Sequence, residues 1–122
     1  MKVSAKKLNK TLEKQIFQVF YQLIADLREP EEVKKFFQGF FSEPARLSLA
    51  KKLMITLFLD KKRGYQEIKQ NLKVSSSTIA EVDKNLSNPG IQLALEKIKT
   101  DEWAGKWSKK ISRALERILP KK

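Results

Sequence analysis

The sequence predicts an all-α fold, and three observations carry that expectation. Apolar residues recur at spacings of three and four. No stretch alternates with period two, and the four Gly and four Pro fall where helices stop or start. With 122 residues the chain is one domain's worth, and 41% hydrophobic against 33% charged residues describes a foldable chain with a wet surface. Leu12, Ile16, Val19, Phe20, Leu23, Ile24 and Leu27 mark a first amphipathic helix ending near Arg28. Glu29-Pro30-Glu31-Glu32 reads as the next start, with Pro tolerated in a first turn and carboxylates favoured at the positive end of the helix dipole. Val33, Phe36, Phe37, Phe40 and Phe41 form its expected buried stripe. Ser42-Glu43-Pro44 opens a third helix, with Leu47, Leu49, Ala50, Leu53, Met54, Leu57 and Phe58 expected to point inward.

A polar turn at residues 60–64 precedes two short helical patterns, at about 65–72 and 76–86, and Asn88-Pro89-Gly90 then breaks the chain. Ile91, Leu93, Leu95 and Ile98 support another short helix. Thr100-Asp101-Glu102 caps a last one, with Trp103, Trp107, Ile111, Ala114 and Ile118 on its apolar face. The organisation expected is a basic segment at 1–10, a helical domain at 11–99 and a basic Trp-bearing helix at 100–122. The Phe-rich stripe and the two Trp leave two options open: burial within one chain, or packing against a second copy as a homodimer.

The chain has no Cys and no His, which excludes disulfides, thiolate nucleophiles, the usual zinc ligand sets and the commonest general base. No metal and no cofactor are expected. Ser48-Leu49-Ala50-Lys51 matches the S-x-x-K pattern of serine acyl-enzymes, but so does Ser4-Ala5-Lys6-Lys7, and the companion motifs are missing. Glu31 and Glu32 are adjacent, and adjacent helical residues do not face one another. No enzyme is expected. The start, Met1 to Lys7, leads into no apolar stretch, so no signal peptide is expected and the location expected is cytoplasmic. The longest apolar run, 53–59, is broken by Thr56 and is too short to span a membrane.

The formal charge is +12, and three blocks carry all of it. Residues 1–14 hold five Lys against Glu13. Lys61, Lys62, Arg63, Lys69 and Lys73 stand against Glu67, and residues 101–122 hold seven basic against three acidic residues. Each block is +4, and the remainder is neutral. Such clustering favours a polyanionic partner, nucleic acid before membrane. In the last block Lys106, Lys109, Lys110, Arg113 and Arg117 share one helical face at 100° per residue.

Residues 65–82 have helix-turn-helix spacing. Ile68 and Leu72 give the first helix its inward pair, Val74 plugs the turn, Ser75 is an N-cap, and Ile79, Val82 and Leu86 anchor the second helix. Ser76, Ser77, Ala80, Asp83 and Lys84 are left outward, a face that suits a major groove. Tyr65 and Gln66 open the first helix, where contacts to the phosphate backbone are usual. The DNA-binding set expected is therefore Tyr65, Gln66, Lys69, Ser75, Ser76, Ser77, Ala80 and Lys84. Lys61, Lys62, Arg63, Lys73 and the basic residues of the last helix add a phosphate-binding patch. Two features oppose strong binding: Lys73 stands where the turn usually has Gly, and Glu81 and Asp83 outweigh Lys84.

With the preceding stretch 40–53 included, the sequence resembles the Trp-repressor superfamily and its YerC/YecD-like branch over about residues 33–98. The resemblance implies an intertwined helical homodimer on double-stranded operator DNA, with contacts at Lys69, Ser76, Ser77 and Ala80. Two family arginines that clamp the corepressor indole align with Lys52 and Glu81. Lys does not reproduce a stacked guanidinium, and Glu repels an amino-acid carboxylate. The expectation is a vestigial pocket and regulation without tryptophan, with Lys52 and Glu81 either paired or both facing solvent. Rival readings are a helical protein-interaction module with a degenerate helix-turn-helix, and a basic protein lying on anionic membrane.

Overall fold

The computed structural model describes residues 6–100 together with Arg113. Six α-helices and no strands occur among them: α1 Lys10–Asp26, α2 Pro30–Phe40, α3 Glu43–Asp60, α4 Tyr65–Leu72, α5 Ser76–Lys84 and α6 Pro89–Thr100. The expected all-α class holds. None of these helices is long and apolar enough to cross a membrane. The expected last helix, with Trp103, Trp107, Lys106, Lys109, Lys110 and Arg117, lies outside the described residues; Arg113 is helical and exposed.

Local chemistry explains the helix starts. Asn9 Oδ1 accepts from the backbone N–H of Thr11 at 2.8 Å and opens α1. At α2, Pro30 takes the first position, and Glu32 reaches back to accept from the N–H of Arg28 at 3.1 Å and of Glu29 at 3.4 Å. Ser42 Oγ accepts from Ala45 N–H at 3.3 Å ahead of α3. Asn88 does more than break the chain: its Oδ1 accepts from Gly90 N–H at 2.8 Å and caps α6.

Two compact units divide between Arg46 and Leu47. In the first, α1 and α2 carry an aromatic chain in which Phe20 meets Phe36 at 6.3 Å between ring centroids, and Phe36 stacks on Phe40 at 4.7 Å. Yet α1 has no buried residue at all. The stripe expected to be buried on α2 is only half-buried at Val33, Phe36, Phe37 and Phe41, and Phe40 is 73% exposed.

The second unit holds the core. Ile55, Phe58 and Leu59 of α3 cluster with Ile68 of α4 and with Ile79 and Val82 of α5, and Met54, Leu72, Val74 and Leu86 pack against them. Thr56 is buried too, its hydroxyl donating to the Lys52 carbonyl at 2.8 Å, so no polar atom there is stranded. The expected inward face of α3 is corrected here. Phe58 is buried and Met54 and Leu57 are half-buried, but Leu47, Leu49, Ala50 and Leu53 are exposed. Periodicity identifies an apolar face without saying what covers it. Leu93 of α6, expected on an inward face, is likewise exposed, while Leu95 is buried. A Lys99–Asp60 ion pair of 2.9 Å links α6 to the end of α3.

Candidate nucleic-acid interface

The helix-turn-helix, the candidate reading head, is a tight crossing of α4 and α5 on the end of α3. Ile68 and Ile79 are both 0% exposed, so the two helices are locked through their central turns. The connection between them is short because Lys73 adopts the left-handed conformation, φ 54° and ψ 54°, as the C-cap of α4. Its N–H bonds to Lys69 O at 3.1 Å, and its carbonyl accepts from Lys51 Nζ at 3.5 Å. Lys51, otherwise notable only for a chance S-x-x-K match, thus ties α3 to the turn.

Ser75 caps α5 as its spacing predicts, Oγ accepting from Thr78 N–H at 3.1 Å. That hydroxyl also lies 3.0 Å from Ser77 Oγ and 2.9 Å from Thr78 Oγ1, so Ser75 is committed to the cap. The helix ends at Lys84 rather than 86; Asn85 caps it, and Leu86 stays half-buried against the core just beyond.

Ser76, Ser77, Ala80, Asp83 and Lys84 are exposed on α5, and Tyr65, Gln66 and Lys69 are exposed on α4. Their chemistry suits a groove: small hydroxyls bond to base edges as donor or acceptor, and a methyl packs on a thymine methyl. Ser76 and Ser77 lie in the first turn of α5, the end that meets bases in such docking.

One pairing on this surface has no local sequence signal. Tyr65 Oη donates to Asp83 Oδ2 at 2.7 Å, joining the first turn of α4 to the last of α5, eighteen residues apart. The hydrogen bond to Asp83, then partial desolvation, then the carboxylate's charge hold the Tyr65 phenol above its ordinary value of 10.0. The bond therefore ties the two helices below pH 10 and is lost as the phenol ionises above it. It also engages one of the two carboxylates that would repel phosphate. Glu81 is the other, and it is exposed.

The basic block wraps the ends of α4. Lys61, Lys62 and Arg63 precede it, Lys69 lies within it and Lys73 closes it, all exposed. Arg63 pairs with Glu67 at 3.5 Å. Lys52 and Glu81 make no ion pair among the described residues. Glu81 is exposed and Lys52 sits at the exposed side of α3, so of the two options open from sequence, both side chains face solvent.

The family described as Trp repressor protein matches residues 15–99, well over half of the chain. No curated protein and no solved structure matches the chain.

Proposed function

The chain belongs to the Trp repressor family, whose members are helix-turn-helix DNA-binding regulators and not enzymes, and from that premise we propose that it binds duplex DNA as a homodimer without tryptophan as corepressor. The observation that carries this reading is the exposed polar face of α5, held on a core in which Ile68 and Ile79 are fully buried, and flanked by the basic ends of α4. In it, Ser76, Ser77, Ala80 and Lys84 meet base edges. Tyr65, Gln66 and Lys69 meet the backbone, and Ser75 acts through the cap. Lys61, Lys62, Arg63 and Lys73 neutralise phosphates. Residues 11–99 form the binding domain, and the basic segments 1–10 and 100–122, the latter with Lys106, Lys109, Lys110, Arg113 and Arg117, add further phosphate contacts.

Independence from tryptophan rests on charge and shape. Lys52 and Glu81 stand where the family resemblance places two arginines around the corepressor indole, and neither supplies a guanidinium plane. We place the chain in the YerC/YecD-like branch on the resemblance carried by residues 40–53 and 65–86. Intracellular action on DNA follows from the same reading.

The homodimer rests on uncovered apolar surface. Val19 is 71% exposed, Tyr21 62% and Phe40 73%, and Leu12, Ile16, Phe17 and Leu23 join them. A patch of this kind marks an interaction surface, and a second copy covers it symmetrically. Two reading heads would then address half-sites about 34 Å apart. Sedimentation is expected to give a dimer at micromolar concentration, shifting toward monomer in Phe40→Glu, and duplexes selected from random sequence are expected to be pseudo-palindromic. A wild-type monomer that selects single, unrepeated sites contradicts the proposal.

A further inference from the structure

Only two non-glycine residues among those described have positive φ, Lys62 at 62° and Lys73 at 54°. Both are lysines, both belong to the basic block at 61–74, and they bracket α4. In the left-handed region the Cβ crowds the following carbonyl, so Gly is preferred and Asn or Asp tolerated. Lys has no short polar group to compensate.

The backbone reasons for that conformation are plain. Lys62 is the left-handed residue of a Schellman motif: its N–H bonds to Leu59 O at 3.0 Å and Arg63 N–H to Phe58 O at 3.0 Å, which closes α3. Lys73 closes α4 in the same hand. Neither role uses the lysine side chain, since Lys62 and Lys73 enter all of these bonds through main-chain atoms. Gly64, close by, has φ −77° and does not relieve Lys62. Both lysines are exposed, and neither ammonium makes an ion pair with a described residue.

Two charged side chains thus sit at the two places where the backbone would be better served by glycine. Strain held without a structural return clusters where function uses it. We propose that Lys62 and Lys73 are a pair of phosphate-binding residues, held at a cost in stability, that grip the duplex backbone at either end of α4. This role rests on the duplex-binding reading and deepens it. Eight residues of helix separate the two turns, about 12 Å, so each ammonium takes a different phosphate. Left-handed turns also present the side chain from a fixed, hydrogen-bonded corner rather than from a flexible loop.

Glycine, glutamine and arginine at each position test this in the full-length protein, with thermal melts and duplex titrations at several salt concentrations. Lys62→Gly and Lys73→Gly are expected to raise Tm by about 2–5 °C. Each is expected to lower the slope of log affinity on log salt by about 0.9 for every phosphate left without its cation, and to weaken binding about threefold or more. Gln retains the strain, so it lowers the slope without raising Tm. Arg retains the charge and the wild-type slope. Glycine variants that keep the wild-type slope overturn the proposal while leaving duplex binding by the wild type intact; glycine variants that lower the slope without raising Tm overturn the claim of strain. A wild-type chain that binds no duplex overturns the binding reading and this inference together.

Discussion

Raising monovalent salt from about 50 to about 200 mM is expected to weaken duplex binding by on the order of several hundredfold. Phosphates neutralised by Lys and Arg release condensed counterions, and each contact adds about −0.9 to the slope of log affinity on log salt. On the proposed reading, the block around α4 and the two basic terminal blocks supply roughly five such contacts per binding unit, so the slope expected is at least about −4. Arg63 adds less than an unpaired cation would, because it already pairs with Glu67 at 3.5 Å. Fluorescence anisotropy of a labelled duplex across that range measures the slope. A binding constant that does not move with salt contradicts a phosphate-dominated interface.

Ile79→Ala is expected to lose about 2–5 kcal/mol of stability, because a fully buried side chain leaves a cavity that the neighbours fill only in part. Against a typical total of about 5–15 kcal/mol this is a large share. Ile68→Ala should behave alike, since the two residues share one cluster with Ile55, Phe58, Leu59 and Val82. The functional consequence follows from position. This cluster orients the exposed side of α5 proposed to enter the groove, so duplex affinity is expected to fall at temperatures where the global fold persists. Ser87→Ala, exposed in the turn before α6, stays within about 0.5 kcal/mol of the wild type. Urea unfolding at fixed protein concentration distinguishes these outcomes, and an Ile79→Ala variant as stable as the wild type contradicts the proposed core.

The reading head was legible in the sequence because its determinants are local. Ile68, Leu72, Val74, Ile79, Val82 and Leu86 fall at spacings that one helix-turn-helix satisfies, and Ser75 sits where an N-cap is needed; all take those places in the structure. The cost at Lys73 was legible too, since the turn there needs a left-handed residue. Lys62 was not, because Gly64 two residues on looks like the turn's flexible position and takes an ordinary φ. The Tyr65–Asp83 bond was hidden for a different reason: its partners come together only through the crossing of α4 and α5. The faces of α1, α2 and the first half of α3 mark the limit of periodicity. Leu47, Leu49, Leu53 and Phe40 have the spacing of buried positions, and within one chain they are exposed. A second copy is the cover that the homodimer reading supplies.

Whether α4 and α5 recognise duplex DNA without tryptophan is decided by titrating a labelled duplex at low salt, with and without L-tryptophan. Two superimposable curves showing tight binding are expected on the proposed reading, in which Lys52 and Glu81 replace the two arginines that would clamp the indole and Glu81 would repel the amino acid's carboxylate. No binding in either condition, or binding that emerges only with tryptophan, would refute recognition of this kind.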